Sequence, residues 1–352
     1  MVTIKKFSKK ISDIYKIKSN FYYHNNKLLK DEIKINKKYK KQPLRKKCKN
    51  CNYKSTKKIF LSFDIDYFVC SKCSHLNGIY SDSKKFCDWL YSEKKTDNYN
   101  NKKFYTLKDF DKRVNNIYLP KAKFLIEVLK KNINVIDLGT GPGHFVKALE
   151  VLNISCVGLE PSKYLASLGN KKLKKNTILN LSLDEIEKDF FDHHISDTKE
   201  NVLSLIGVLE HLHDINSLMV KFLKSKIKYL YISVPIFSLS TFIENVFNKV
   251  YPRQLSGAHT HLYTKKSLQF FAQKYNLKII GQWWFGQDFI DLYRSILLSS
   301  KSHDRKKYKY LLDKNLFSVI DKLQNILDKN MICSEVHILF KKKIDSKSVF
   351  SL

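Results

Sequence analysis

Residues 133–145 read INVIDLGTGPGHF, a short apolar run followed by glycines at 139, 141 and 143. The run predicts a buried strand, and in the following HFVKALEVL the residues Phe145, Val146, Leu149 and Leu152 fall at helical spacing. A strand that breaks into glycines and restarts as a helix lets the backbone approach a ligand closely. The new helix offers that ligand free N–H groups and a partial positive charge. The spacing is G-x-G-x-G with Pro142 inside, not the dinucleotide G-x-G-x-x-G, and no Lys-Ser/Thr follows, which excludes a phosphate-cradling P-loop. Asp137 closes the first strand. A second strand, ISCVGLE, ends in Glu160, 17 residues after Gly143. A carboxylate there can accept hydrogen bonds from both hydroxyls of a ribose. A tight turn that holds no ligand is the plain alternative for the glycines alone.

VIDLGTGPGHF, CVGLEPS and VLSLIGVLEHLHD, taken in order, resemble the successive motifs of class I S-adenosylmethionine-dependent methyltransferases, over roughly residues 115–342. The resemblance implies an α/β, Rossmann-like seven-stranded sheet, six strands parallel and the seventh antiparallel between five and six. It also implies S-adenosyl-L-methionine as cofactor, with Asp137, Gly139, Gly141, Gly143 and Gly207 around it, Glu160 on the ribose and Pro161 near the adenine. Ser182 and Leu183 follow as adenine neighbours. The strands are predicted at 133–138, 154–160, 176–181, 201–206, 228–235, 277–285 and 333–342. About 45 residues separate the last two, far more than a hairpin needs. DFIDLYRSILL and YKYLLDKNLFSVIDKLQNIL predict two helices inserted at about 287–330.

Ahead of this domain, assigned to 106–345, lie a basic arm (1–42) and a module (43–105) with Cys48, Cys51, Cys70 and Cys73 in a C-x2-C-x18-C-x2-C pattern. Two such knuckles complete a tetrahedral four-cysteine zinc site. The intervening KIFLSFDIDYFV alternates in part, as a hairpin between knuckles would. Cys87, Cys156 and Cys333 are scattered, and no secretion signal supports disulfides. Four thiolates leave no open position, so the zinc is expected to be structural. His75, two residues past Cys73, is a spare donor. A helix ending the stretch 74–93 is expected to dock the ribbon, and 94–103 reads as a linker.

The formal charge is +32, yet only five of the 65 basic residues are Arg, and Ala also occurs five times. That bias suits A/T-rich coding and solvated lysines better than a reader of guanine or phosphate, for which Arg is the apt side chain. Residues 1–58 nevertheless carry 20 Lys/Arg against three acids, an arm that could touch an anionic polymer. No apolar run approaches the ~20 residues that span a bilayer, and the expected location is cytoplasmic.

Methyl transfer from a sulfonium is an in-line displacement, and for O–H or C–H acceptors the protein must also remove a proton. Candidates are His211 in GVLEHLHD and His259, His261 and Tyr263 in SGAHTHLYT, with His261 preferred as base and Glu210–His211 also read as closing the cofactor pocket. A two-histidine metal site at 259 and 261 lacks a carboxylate motif. No N-P-P-Y follows the fourth strand, and no Pro-Cys occurs, which disfavours methylation of nucleobases. The ribbon, the HLNG after its last knuckle and the histidine-bearing loop are similar to those of bacterial methyltransferases acting on sugars and surface polysaccharides. That points to O- or C-methylation of a small or glycan-linked acceptor, such as a nucleotide sugar. This chain lacks the long second C-terminal domain of the sugar C-methyltransferases, so O-methylation is the fallback. The alternative is an RNA methyltransferase that uses ribbon and arm to hold RNA, and a third reading is a non-catalytic scaffold.

Overall fold

The computed structural model describes residues 3–18, 24–54, 57–91, 107–182, 185–186 and 190–343. Among the described residues twelve strands run in chain order: β1 (Ile4–Phe7), β2 (Phe60–Ser62), β3 (Ile65–Val69), β4 (Leu76–Gly78), β5 (Ile133–Leu138), β6 (Ser155–Leu159), β7 (Thr177–Leu179), β8 (Glu200–Ile206), β9 (Tyr229–Pro235), β10 (His261–Leu262), β11 (Leu277–Phe285) and β12 (Glu335–Lys342). They form an eight-stranded sheet in the order β1-β11-β12-β9-β8-β5-β6-β7 and a four-stranded sheet in the order β10-β4-β3-β2.

In the large sheet β5 pairs in parallel with β6 and β8, β6 with β7, and β8 with β9, while β12 runs antiparallel to both β9 and β11. The seven expected strands are present in the expected arrangement, and the count is corrected to eight. The extra strand comes from the arm: β1 lies parallel to β11, from Ile4 opposite Gly281 to Phe7 opposite Trp284. Four residues are too few to register as a periodicity. Their physical role is to cover the open N–H and C=O groups of the β11 edge, and the Trp283 indole N–H adds a hydrogen bond to the Ser8 carbonyl at 3.0 Å.

Both faces of the sheet are buried, as a parallel sheet requires. Helix 119–129 packs Phe124, Leu125 and Val128 with Phe145 and Leu149 of helix 144–151 on one side. On the other, Leu218, Met219 and Phe222 of helix 215–224 join Leu268 and Phe271 of helix 265–274. The apolar periodicities of the sequence are these two faces.

The insertion before β12 forms three helices, 288–299, 305–315 and 320–329, not two. The predicted second helix breaks at a short turn, 317–319. Phe317 there packs on Tyr15 and Tyr293 at 5.2 and 5.3 Å, so the chain bends to bury a ring that a straight helix would expose. The arm is helical over much of its length: helix 25–39 follows the helix 11–18 and places Leu28, Ile35 and Tyr39 inward. The expected linker 94–103 lies outside the described residues, whereas the docking helix is present at 84–91. Among the described residues no helix is long and apolar enough to cross a membrane.

Candidate functional site

The cysteine knuckles converge. Sγ atoms of Cys48 and Cys73 lie 3.7 Å apart, those of Cys51 and Cys70 3.5 Å, and all four ligand atoms fall within 4.8 Å of one another. A zinc ion with Zn–S bonds of about 2.3 Å separates tetrahedral sulfurs by roughly 3.8 Å, so the four fit that ion, and no pair is a disulfide. The Asn77 side-chain amide donates to Cys48 Sγ at 3.5 Å and that of Asn50 to Cys73 Sγ at 3.8 Å, as suits thiolates. His75 is not in this group. Its Nε2 lies 2.9 Å from Nδ1 of His261 instead.

That contact belongs to a seam. β4 of the ribbon pairs antiparallel with β10, which lies in the loop after β9, so that His261 faces Asn77 and Leu262 faces Leu76. The Gly78 amide donates to the Thr260 carbonyl at 2.8 Å, and the Asn36 side chain accepts from the Gly257 amide at 2.5 Å. The cysteine module therefore holds this loop at 260–262, and helix 25–39 of the arm holds it at Gly257.

A cleft of about 400 Å³ opens at the carboxyl ends of the parallel strands, where ligands of open α/β sheets bind. One end is walled by Asp137, Gly139, Thr140, Gly141 and Pro142, and by Gly207 after β8. Gly139, Gly141 and Gly143 have φ of +62°, +58° and +77°. They differ in what surrounds them. A Cβ on Gly139 would sit 2.7 Å from Val208 and one on Gly143 2.5 Å from Ile178, whereas one on Gly141 would meet nothing within 4 Å. The first and third glycines are needed for packing, and the second faces open space.

Glu160 is nearly fully buried and is aimed at this loop: Oε2 accepts from the Gly141 amide at 2.7 Å and Oε1 from the Ser162 amide at 2.9 Å. Glu160 lies behind Gly141 and, like Pro161 and Gly143, does not itself line the open cleft, and Leu183 lies outside the described residues. Burial pushes the Asp137 carboxyl up to about 6, against a 2.6 Å hydrogen bond from Ser204 that favours its charged form.

The other end holds Glu210, His211 and His259, with Arg253, Gln254, Gln287, Ser334 and Glu335. The two imidazoles have ring centroids 4.9 Å apart. Burial holds His259 down to about 4, and its Nδ1 donates to the Gln254 carbonyl at 3.2 Å, which leaves the lone pair on Nε2. Burial likewise holds His211 well below its ordinary value, with a hydrogen bond to the Ala258 carbonyl opposing. Burial raises the Glu210 carboxyl to about 8.

His261 and Tyr263 are not among the cleft's lining residues. The preference for His261 over His259 is corrected on that ground. Residues two apart would share a face of one continuous strand, but β10 begins only at His261, whose side chain enters the seam with His75, while His259, ahead of the strand, reaches the cleft. Tyr263 is buried with its ring edge-on to His75 at 4.7 Å.

Sequence reasoning did not single out Arg253, although scarcity was a signal: two of the chain's five arginines, Arg113 and Arg253, line the cleft. Arg253 is held by Asp291 at 2.6 Å, and Asp291 Oδ2 also accepts from Ser240 at 2.8 Å. Neighbouring Asp288 accepts from Ser238 at 2.6 Å and from the Ser334 amide at 3.0 Å. The first inserted helix thus starts at the cleft and fixes its far wall.

Residues 110–282, just under half of the chain, match the model of the methyltransferase domain family. The matched segment is the one that builds the cleft, and the fold is the α/β class I S-adenosylmethionine-dependent methyltransferase fold with a mostly parallel central sheet. No curated protein matches. Among solved structures, a SAM-dependent methyltransferase from Archaeoglobus fulgidus is similar at 18% identity, over 64% of this chain and 92% of that one, with a TM-score of 0.39. The plantazolicin methyltransferase BpumL in complex with SAH is similar at 15% identity, over 73% and 93%, with a TM-score of 0.41. The cyclopropane synthase MmaA2 from Mycobacterium tuberculosis is similar at 11% identity, over 65% and 85%, also at 0.41. Likeness this remote brings no substrate to the present chain.

Proposed function

We propose that the chain transfers a methyl group from S-adenosyl-L-methionine to an oxygen of a small-molecule or glycan-linked acceptor, such as a nucleotide sugar. The observation that carries this reading is one cleft with two chemically distinct ends. The glycine loop, with the Glu160 carboxylate fixed against it, suits a sulfonium nucleoside. The polar end suits a polyhydroxylated acceptor, because a few convergent polar groups set orientation and specificity. The cofactor supplies the electrophilic methyl group. The chain's residues do the rest: Gly139, Gly141 and Gly207 admit the methionine part, Glu160, held against the Gly141 amide, would take the ribose, and Asp137 braces the loop. Arg253, Gln254 and Gln287 would orient the acceptor, and its proton would leave at the cluster of Glu210, His211 and His259. The ribbon, loaded with structural zinc, would hold the acceptor loop in register.

The RNA alternative draws no comparable support. Of the ribbon's aromatic residues, Tyr67 and Phe68 are fully buried and cannot stack on bases. The test is incubation of the zinc-loaded protein with methyl-labelled cofactor and panels of nucleotide sugars, glycan fractions and RNA. Label in the sugar or glycan arms alone supports the proposal. Label in RNA alone, or in no arm, removes it.

A further inference from the structure

We infer that Glu210, His211 and His259 form a site for one divalent transition-metal ion at the acceptor end of the cleft, a role that rests on the methyl-transfer reading. The chain separates these residues, with His259 lying 48 positions beyond His211. The fold brings one ligand atom from each within 4.8 Å of the others.

The details suit a metal better than a lone general base. Oε2 of Glu210 has no hydrogen-bond partner although the residue is 5% exposed and lines the cleft. A buried carboxyl oxygen without a partner is costly, and a cation that met it would remove that cost. Each imidazole is oriented by a backbone carbonyl, that of Gln254 for His259 and that of Ala258 for His211. Metal-binding histidines are commonly fixed in this way through their other nitrogen. Arg253 and Lys121, which also line the cleft, are paired with Asp291 at 2.6 Å and Glu335 at 3.4 Å and make no hydrogen bond to this oxygen.

Two imidazoles and one carboxylate leave coordination positions open, unlike the four thiolates of the ribbon. An acceptor hydroxyl bound at such a position loses its proton to water more readily. Its oxygen lone pair then forms the bond to the methyl carbon, and the carbon–sulfur pair returns to sulfur. The same lone pair on His259 cannot both take that proton and hold the ion, and the geometry favours the ion.

The test uses the full chain with zinc in the ribbon and loosely held metals removed by a chelating resin. Mn2+, a poor partner for thiolates, is titrated and followed by electron paramagnetic resonance, and bound Zn2+ is counted by mass spectrometry. The expected result is one Mn2+ per chain, or a second Zn2+. Glu210→Gln and His259→Ala should each weaken that binding at least 10-fold, with circular dichroism and ribbon zinc unchanged. Failure of the unaltered chain to bind either ion, or binding that persists in both variants, would overturn the site. Mn2+ binding without any binding of S-adenosylmethionine would leave the site standing and defeat the methyl-transfer reading instead.

Discussion

The Gly141 amide donates to Oε2 of Glu160 across 2.7 Å, which ties the middle of the glycine loop to the tip of the neighbouring strand. The glycine that faces open space and the carboxylate proposed for the ribose are thus one preorganised unit. A charged hydrogen bond is worth about 1.5–3 kcal/mol. Glu160→Ala should therefore weaken S-adenosylmethionine binding by roughly 10- to 100-fold in calorimetry. An unchanged affinity would remove Glu160 from the site.

Glycines 139 and 141 separate packing from ligand contact. Gly139→Ala forces a Cβ to 2.7 Å from Val208 in a left-handed conformation and should destabilise the fold by more than the ~1 kcal/mol backbone cost. Gly141→Ala pays only that backbone cost, because its Cβ enters open space. It should keep its fold and lose cofactor affinity. Denaturant melts beside calorimetry distinguish the two.

Removal of zinc should act on the acceptor and not on the cofactor. The ribbon's β4 pairs with β10, and Gly78 bonds to Thr260, so loss of the knuckles frees the loop that carries His259. After chelation, hydrogen exchange should rise across 254–263 while the glycine loop stays protected. Cofactor affinity should persist as methyl transfer falls. Protection unchanged in that loop would show that the ribbon does not hold it.

Buried His337 predicts a loss of stability in acid. Burial, with Lys121 nearby, holds its imidazole down to about 4 from 6.5. The unfolded chain takes up this proton below 6.5 and the folded chain only near 4, so stability falls as pH drops through that window. The cost is about 1.4 kcal/mol per pH unit, reaching about 3 kcal/mol. His337→Gln should give a shallower slope of unfolding free energy between pH 6.5 and 4.

Most of the central sheet was legible because its strands are apolar runs separated by helical periodicities, and INVIDL and LKIIGQWWF match β5 and β11 to the residue. The cysteine spacing likewise led to the ribbon. What escaped was decided by tertiary contact. β1 is four residues whose only reason to be extended is the uncovered edge of β11. The break at Phe317 exists because Tyr15 and Tyr293 offer its ring a place. His259 and His261 are indistinguishable by type and spacing. Only the pairing of β10 with β4 decides which one enters the cleft. Arg253 owes its position to Asp291, 38 residues further on.

The most direct test of the account is calorimetric titration of the zinc-loaded chain with S-adenosylmethionine. A single site per chain in roughly the micromolar to submillimolar range, weakened by Glu160→Ala, is the predicted result. Absence of any binding heat, together with absence of a thermal shift at millimolar cofactor, would contradict it.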